Sequence, residues 1–209
     1  MDNKNIILDL CGGTGSWSRP WKLAGYDVHN ITLPDYDVRT FSFRERERVY
    51  GILAAPPCTE FSIANCKAEK RERNFNIGME LVDACIRIIQ DINPVFYAIE
   101  NPKGYLRKFL GKPTMTFQPW EYGDAWTKQT DIWGKFNIPP KLYTKWEDVP
   151  NKLNLYTRPN RKKPSIAFLH KSAWKDIPQF SWHEPTTDAE FRAMTPTGFA
   201  QAFYEANKR

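Results

Sequence analysis

Apolar residues in the first half of the chain fall in short runs broken by turn-forming residues. Residues 5–10 carry Ile6-Ile7-Leu8-Asp9-Leu10, stop at glycines and read as a buried strand. Residues 16–24 predict a helix whose true start Pro20 sets late, and Gly25 ends it. Residues 26–33 read as a second strand closed by Pro34-Asp35, and residues 50–55 as a third, closed by Pro56-Pro57. Ile77, Leu81, Val82, Cys85, Ile88, Ile89 and Ile92 form a helical stripe that Asn93-Pro94 stops. Residues 95–99 are a further strand, running into Glu100-Asn101-Pro102. This alternation predicts an α/β fold with a mostly parallel sheet and helices on both faces. After about residue 134 periodicity fades. Residues 135–190 read as a small irregular element appended to a unit of residues 1–134. Order returns over 191–209: Thr195-Pro196 reads as an N-cap followed by proline at the first helical position, with Phe199, Ala202, Phe203 and Ala206 on one face packing back on the first unit.

Composition narrows the class. With 209 residues and 41% apolar content, the chain can bury one sizeable core. No run approaches the roughly 18 apolar residues that span a membrane. Met1 is followed by no basic stretch leading into a long apolar one, so a secretory leader is not expected. The four cysteines, Cys11, Cys58, Cys66 and Cys85, form no C-x-x-C pair and lie far in sequence from His29, His170 and His183. No metal site is expected, and a cytoplasmic setting that leaves a thiol free is the simplest reading. The net charge of +6 is uneven: residues 135–175 hold ten Lys or Arg against Glu147 and Asp148. Such a local cationic field points to a polyanion partner or a solvated basic face.

Three constellations carry chemistry. Asp9-Leu10-Cys11-Gly12-Gly13-Thr14-Gly15 is a glycine-rich turn after a strand, where backbone can approach a ligand closely, and it lacks the Gly-Lys-Ser/Thr of a Walker loop. Ala55-Pro56-Pro57-Cys58-Thr59-Glu60-Phe61-Ser62 puts a cysteine just beyond a strand end, where open parallel sheets bind ligands. Glu100 stands at the end of the strand at residues 95–99, and the alternative reading of Asn101-Pro102 after it is the start of a helix.

In this order the three resemble the cytosine-C5 DNA methyltransferase family, with its D-L-x-x-G-x-G loop, P-C nucleophile segment and E-N dipeptide. Tyr122-Gly123-Asp124-Ala125-Trp126-Thr127-Lys128 is similar to the family's Y-G-x-P-Q-x-R segment, and Arg192-Ala193-Met194-Thr195-Pro196 to its R-x-L-T-P segment. The form Glu-Asn-Pro-Lys-Gly and the length resemble compact virus- or mobile-element-encoded members. The resemblance implies a Rossmann-like fold that binds S-adenosyl-L-methionine through Asp9, Leu10, Cys11, Gly12, Gly13, Thr14 and Gly15, with Trp17, Thr32, Asp37, Val38 and Pro56 completing the cofactor contacts. Trp126 stands where the family has glutamine, Lys128 and Thr130 where it has arginines, and Thr32 where an acid holds the cofactor ribose, unless Asp35 serves.

The implied chemistry suits these residues. Cytosine C5 is a poor nucleophile, and thiolate addition to C6 turns the ring into an enamine. Cys58 is the expected thiolate, Glu100 the acid at N3, and Lys128 the cation at O2. The base must leave the duplex to meet them. Ser62, Lys67 and Arg71 after the nucleophile, with Lys70 and Arg73 near them, are the expected strand contacts, alternating with Glu69 and Glu72. Arg161, Lys162 and Lys163 are expected at phosphates, and Tyr143, Trp146, Tyr156 and Trp174 at bases or in packing. So small a recognition element implies a short or relaxed target sequence. A monomer acting on DNA is expected. An RNA cytosine-C5 enzyme, or a non-catalytic DNA-binding protein on the same fold, are the competing readings.

Overall fold

A computed structural model of the chain describes residues 5–44, 48–63, 72–150, 155–169, 177 and 181–209. Six strands form one sheet: β1 (Ile6–Leu10), β2 (Asp27–Ile31), β3 (Val49–Ala54), β4 (Phe96–Pro102), β5 (Met115–Phe117) and β6 (Thr130–Lys135). Their spatial order is β2-β1-β3-β4-β6-β5. The pairs β1–β2, β1–β3 and β3–β4 are parallel, while β6 runs antiparallel to both β4 and β5. The chain leaves β1 to one side for β2, then crosses back to β3 on the other. That reversal opens a crevice beyond the carboxyl ends of β1 and β3, where open α/β sheets hold their ligands. This is the expected α/β, Rossmann-like, mostly parallel arrangement.

Both faces of the sheet are covered. Alternation along β1 sends Ile6, Leu8 and Leu10 to one face, where α2 (Phe75–Ile92) packs with Val82, Cys85, Ile88 and Ile89. Ile7 points to the other face, which holds Trp21 of α1 (Arg19–Leu23) and Phe199 and Phe203 of α5 (Thr197–Asn207). Ile77, expected on the stripe of α2, is exposed, because the helix starts two residues earlier and Asn74 caps it by accepting from the Ile77 N–H. Asn93 ends α2 in the left-handed region, with its N–H donating to the Ile89 carbonyl.

Two expectations about chain ends are corrected. Asn101 and Pro102 do not begin a helix: they extend β4, opposite Asp131 and Thr130 of β6. The strand β6 supplies backbone partners that local sequence does not reveal. Pro196 precedes α5 instead of opening it, and the Thr195 N–H donates to Ser16 Oγ at 2.8 Å. The first turn of α5 is capped from a distance, since Asp124 Oδ2 accepts the Gly198 N–H at 3.2 Å.

Beyond β6 the described chain is irregular, with short 310 turns at Trp146–Asp148 and Ile166–Phe168 and then α4 (Asp188–Ala193). A separate apolar cluster holds it together: Ala125, Trp126, Leu155, Ile166, Leu169, Ile177, Phe191 and Met194. Trp126, at the position of the family's glutamine, is fully buried there. The remaining helix is a single turn, α3 (Arg107–Leu110). No helix among the described residues is long and apolar enough to cross a membrane.

This packing sets two expectations for stability. Phe203 is fully buried against Trp17, Trp21, Phe96, Phe136 and Phe199. Phe203→Ala should lower stability by about 3–5 kcal/mol, read from denaturant midpoints. Burial pushes the Asp124 carboxyl up to about 8, against the lowering effect of the Gly198 and Phe199 N–H groups. A carboxyl raised in the folded state binds more protons folded than unfolded, so its contribution is full at low pH and is lost as pH climbs from about 4 through 8. Asp124→Asn, which keeps an acceptor for Gly198, should flatten the fall of melting temperature across that window.

Candidate active site

The loop after β1 is built for close approach. Cys11, Gly13 and Gly15 all have positive φ, at 56°, 54° and 71°. A side chain at Gly12 would collide with Asp9 and Asn30, so only glycine lets the loop fold back over the strand end. Asp9 lies on the same face of β1 as Ile7 and is fully buried. Its Oδ2 accepts from Ser18 Oγ at 2.5 Å, and burial lifts its carboxyl to about 6 against that hydrogen bond. Asn30, near the end of β2, donates from Nδ2 to the Gly13 carbonyl at 2.8 Å. Asp9 Oδ1 and Asn30 Oδ1 are buried acceptors with no donor among the described residues. Asn30 carried no sequence signal, being one polar residue in a half-buried strand.

The loop after β3 is fastened from three directions. The Ala55 N–H donates to the Leu10 carbonyl at 2.9 Å. Asn101 Nδ2, fully buried, donates to the Pro56 carbonyl at 2.9 Å, so the E-N dipeptide of β4 holds the P-P-C loop directly. The Cys58 carbonyl accepts from the Phe61 and Ser62 N–H groups, and Arg73 donates to the carbonyls of Glu60 and Ser62 at 2.8 and 3.1 Å. Gly104 pairs with Ser62 in an isolated bridge, and a side chain there would meet the Phe61 carbonyl. Cys58 is thus held in a turn whose backbone groups are satisfied by its neighbours.

Cys58, Glu100 and Lys128 share one electrostatic environment. Lys128 Nζ lies 3.9 Å from Glu100 Oε1. Burial pushes the Cys58 thiol up, the Lys128 ammonium pulls it down and Glu100 pushes it up again. Burial likewise raises Glu100, opposed by Lys128 and reinforced by Asp131. A carboxyl and a thiol, both raised by burial, stand beside one cation that lowers both. Gln118 fixes the backbone of that cation, accepting the Lys128 N–H at 3.1 Å. Asp131 is buried on the strand paired with β4, where Arg107 and Thr116 bind its carboxylate.

Other expected contacts stand elsewhere. Leu10, Trp17 and Val38 put their side chains into the two cores, so any part they play in holding a ligand falls to backbone. Trp17 is 2% exposed against Phe199 and Phe203. Asp37 is engaged by Arg39, which holds its carboxyl down at about 2. The Thr32 carbonyl accepts from the Tyr36 N–H at 3.0 Å. Ser62, expected as a strand contact, is buried and pairs with Gly104 in its bridge. Arg161 and Lys162 are exposed. Lys163 is half-buried, and its Nζ lies 4.1 Å from the Trp120 ring centre and 5.7 Å from that of Trp146, which packs edge-on to Trp120. Tyr156 is exposed and Tyr143 half-buried. Lys67, Lys70, Arg71 and Trp174 lie outside the described residues.

The chain is similar to known proteins over part of its length. Residues 18–118 match the family model for the C-5 cytosine-specific DNA methylase. The chain is 27% identical over 119 residues to the type II methyltransferase M.FnuDI of Fusobacterium nucleatum, covering 49% of this chain and 33% of that protein. It is 26% identical over 122 residues to the type II methyltransferase M.DdeI of Desulfomicrobium norvegicum, covering 48% and 28%. The chain therefore spans about a third of the length of these curated relatives. Among solved structures, one from Escherichia coli, assigned as a DNA modification methyltransferase encoded within a prophage, is 16% identical with a TM-score of 0.49, over 66% of this chain and 51% of that one. The stretch similar to the C-5 cytosine-specific DNA methylase model, just under half of the chain, takes in the Cys58 loop and the E-N strand.

Proposed function

We propose that this chain transfers a methyl group from S-adenosylmethionine to C5 of a cytosine in DNA, through covalent addition of Cys58 to C6. The observation that carries the reading is the meeting of Cys58, Glu100 and Lys128 at the carboxyl edge of the sheet, next to the glycine-rich loop of β1. The donor set beside that loop suits the cofactor. Asp9 Oδ1 and Asn30 Oδ1 are buried acceptors that want donors, and the molecule offers an amine and ribose hydroxyls. Bound there, it would supply an electrophilic methyl group.

The chain's own residues account for the rest. Glu100, whose proton affinity burial raises, faces pyrimidine N3 and shares a proton there, drawing electrons from the ring. Lys128 balances charge at O2 and favours the Cys58 thiolate. The thiolate adds to C6, and C5 becomes nucleophilic. After C5 is methylated, its proton leaves and the Sγ–C6 bond breaks, restoring the aromatic ring. A cytosine stacked in a duplex cannot reach this edge, so the base is turned out of the helix. Arg161 and Lys162 offer exposed charge for the phosphate backbone.

Two measurements test the reading. DNA carrying 5-fluorocytosine should be trapped covalently at Cys58 when cofactor is present, because fluorine at C5 cannot leave as a proton does. Cys58→Ser should lose trapping and turnover while still binding DNA. Glu100→Gln should slow turnover by roughly 10²–10⁴-fold. Adduct at another cysteine, or turnover by Cys58→Ser, would overturn the assignment. Labelled methyl transfer to duplex DNA, single-stranded DNA and tRNA in parallel distinguishes a DNA enzyme from an RNA enzyme and from a non-catalytic binder. In the free protein, alkylation at the Cys58 peptide should rise only above the ordinary thiol range of pH. Lys128→Met should shift that profile higher and Glu100→Gln lower, as followed by mass spectrometry with iodoacetamide.

A further inference from the structure

A second cationic run lies at the catalytic edge, outside the basic segment noted in the sequence. Residues 101–120 contain Lys103, Arg107, Lys108 and Lys112 and no acid. Arg107 is committed to the carboxylate of Asp131. Lys103, Lys108 and Lys112 are exposed. They follow directly on Glu100-Asn101-Pro102, and backbone bonds fix them against the nucleophile turn: Gly104 bridges Ser62, and the Tyr105 N–H donates to the Phe61 carbonyl at 2.8 Å. The Tyr105 ring carries the Arg73 guanidinium at 4.8 Å and the Lys108 ammonium at 5.1 Å. One more cationic group, Arg73, is thereby gathered with Lys108 beside the turn that holds Cys58.

This run and the Arg161-Lys162 segment meet the same stretch of chain. The Lys103 N–H donates to the Gln129 carbonyl at 2.9 Å. The Thr127 N–H donates to the Pro164 carbonyl at 2.9 Å, and the Thr127 carbonyl accepts from the Ile166 N–H at 3.2 Å. Lys128, which reaches Glu100, stands between those two attachment points. We propose that Lys103, Lys108 and Lys112, with Arg73, form a second phosphate-binding surface, so that the DNA backbone is held by two basic runs joined on either side of Lys128 in the chain. The inference rests on the DNA reading of the proposed function and adds a distinct set of contacts to it. Closely spaced cations with no acid among them between Glu100 and Glu121 suit the regular charge of a nucleic-acid backbone. They hold the strand where the base leaves it, and carry no base readout.

The test is the salt dependence of binding to a fluorescein-labelled duplex DNA. Removing one lysine–phosphate pairing lowers the slope of log affinity against log salt by about 0.9. The triple variant K103Q/K108Q/K112Q should lower the slope by up to about 2.7 and raise KM for DNA, with cofactor binding and melting temperature held at wild-type values. A control variant, K22Q/K135Q/K208Q, removes the same charge from the other edge of the sheet, where Lys135 pairs with Tyr97 at the start of β4 and Lys22 and Lys208 end α1 and follow α5. Its slope should match wild type. If wild type binds DNA and the first variant keeps the wild-type slope, or both variants lower the slope equally, the second surface is overturned. If wild type itself binds no DNA, the functional reading fails and this inference fails with it.

Discussion

The register of three parallel strands is the constraint on which the site depends. Leu10, Ala54 and Ile99 stand level with one another across β1, β3 and β4. The residues that follow them therefore leave the sheet at one height. Those residues are Cys11, opening the glycine-rich loop; Ala55, leading to Cys58; and Glu100. A slip of one residue in β4 would send Glu100 to the other face and carry Asn101 away from Pro56. Burial on both faces forbids such a slip, because Phe96 and Ala98 belong to one core and Ile99 to the other.

Within that frame, desolvation and one cation set the chemistry. Burial disfavours the charged form of both Cys58 and Glu100. For the proposed roles, that suits the acid and opposes the nucleophile. Lys128 acts on both, but a carboxyl and a thiol start from very different affinities for the proton. A single ammonium can thus ease thiolate formation while the acid, reinforced by Asp131, stays raised. Lysine in place of the family's arginine supplies charge without a planar fork, so the geometry must come from its anchoring by Gln118.

Much of this was legible in the sequence because strand ends are marked by abrupt chemistry. Ile-Ile-Leu-Asp-Leu halts at glycines, Leu-Ala-Ala at two prolines, and Phe-Tyr-Ala-Ile at an acid, and each halt lies at the same edge of the sheet. Asn101-Pro102 was ambiguous because a strand extension and a helix start use the same two residues. Only the pairing with β6, some thirty residues on, decides between them. β5 and β6 themselves are short and rich in polar positions, so no periodicity announced them. Ser62 and Lys163 looked like surface contacts by residue type, yet a backbone bridge buries the first and two tryptophans hold the second. Asp124 sits in a motif read for its lysine, and its role as a remote helix cap depends on a partner more than seventy residues away.

The placement of α5 bears on how the molecule is made. Residues 197–207 cover the face formed by Ile7, Trp21 and Phe96, although they come last among the elements described. During vectorial synthesis β1, α1, β3 and β4 leave the ribosome well before their cover does. A nascent chain stalled short of residue 203 would present a row of aromatic side chains to solvent, a surface that chaperones bind and that promotes aggregation.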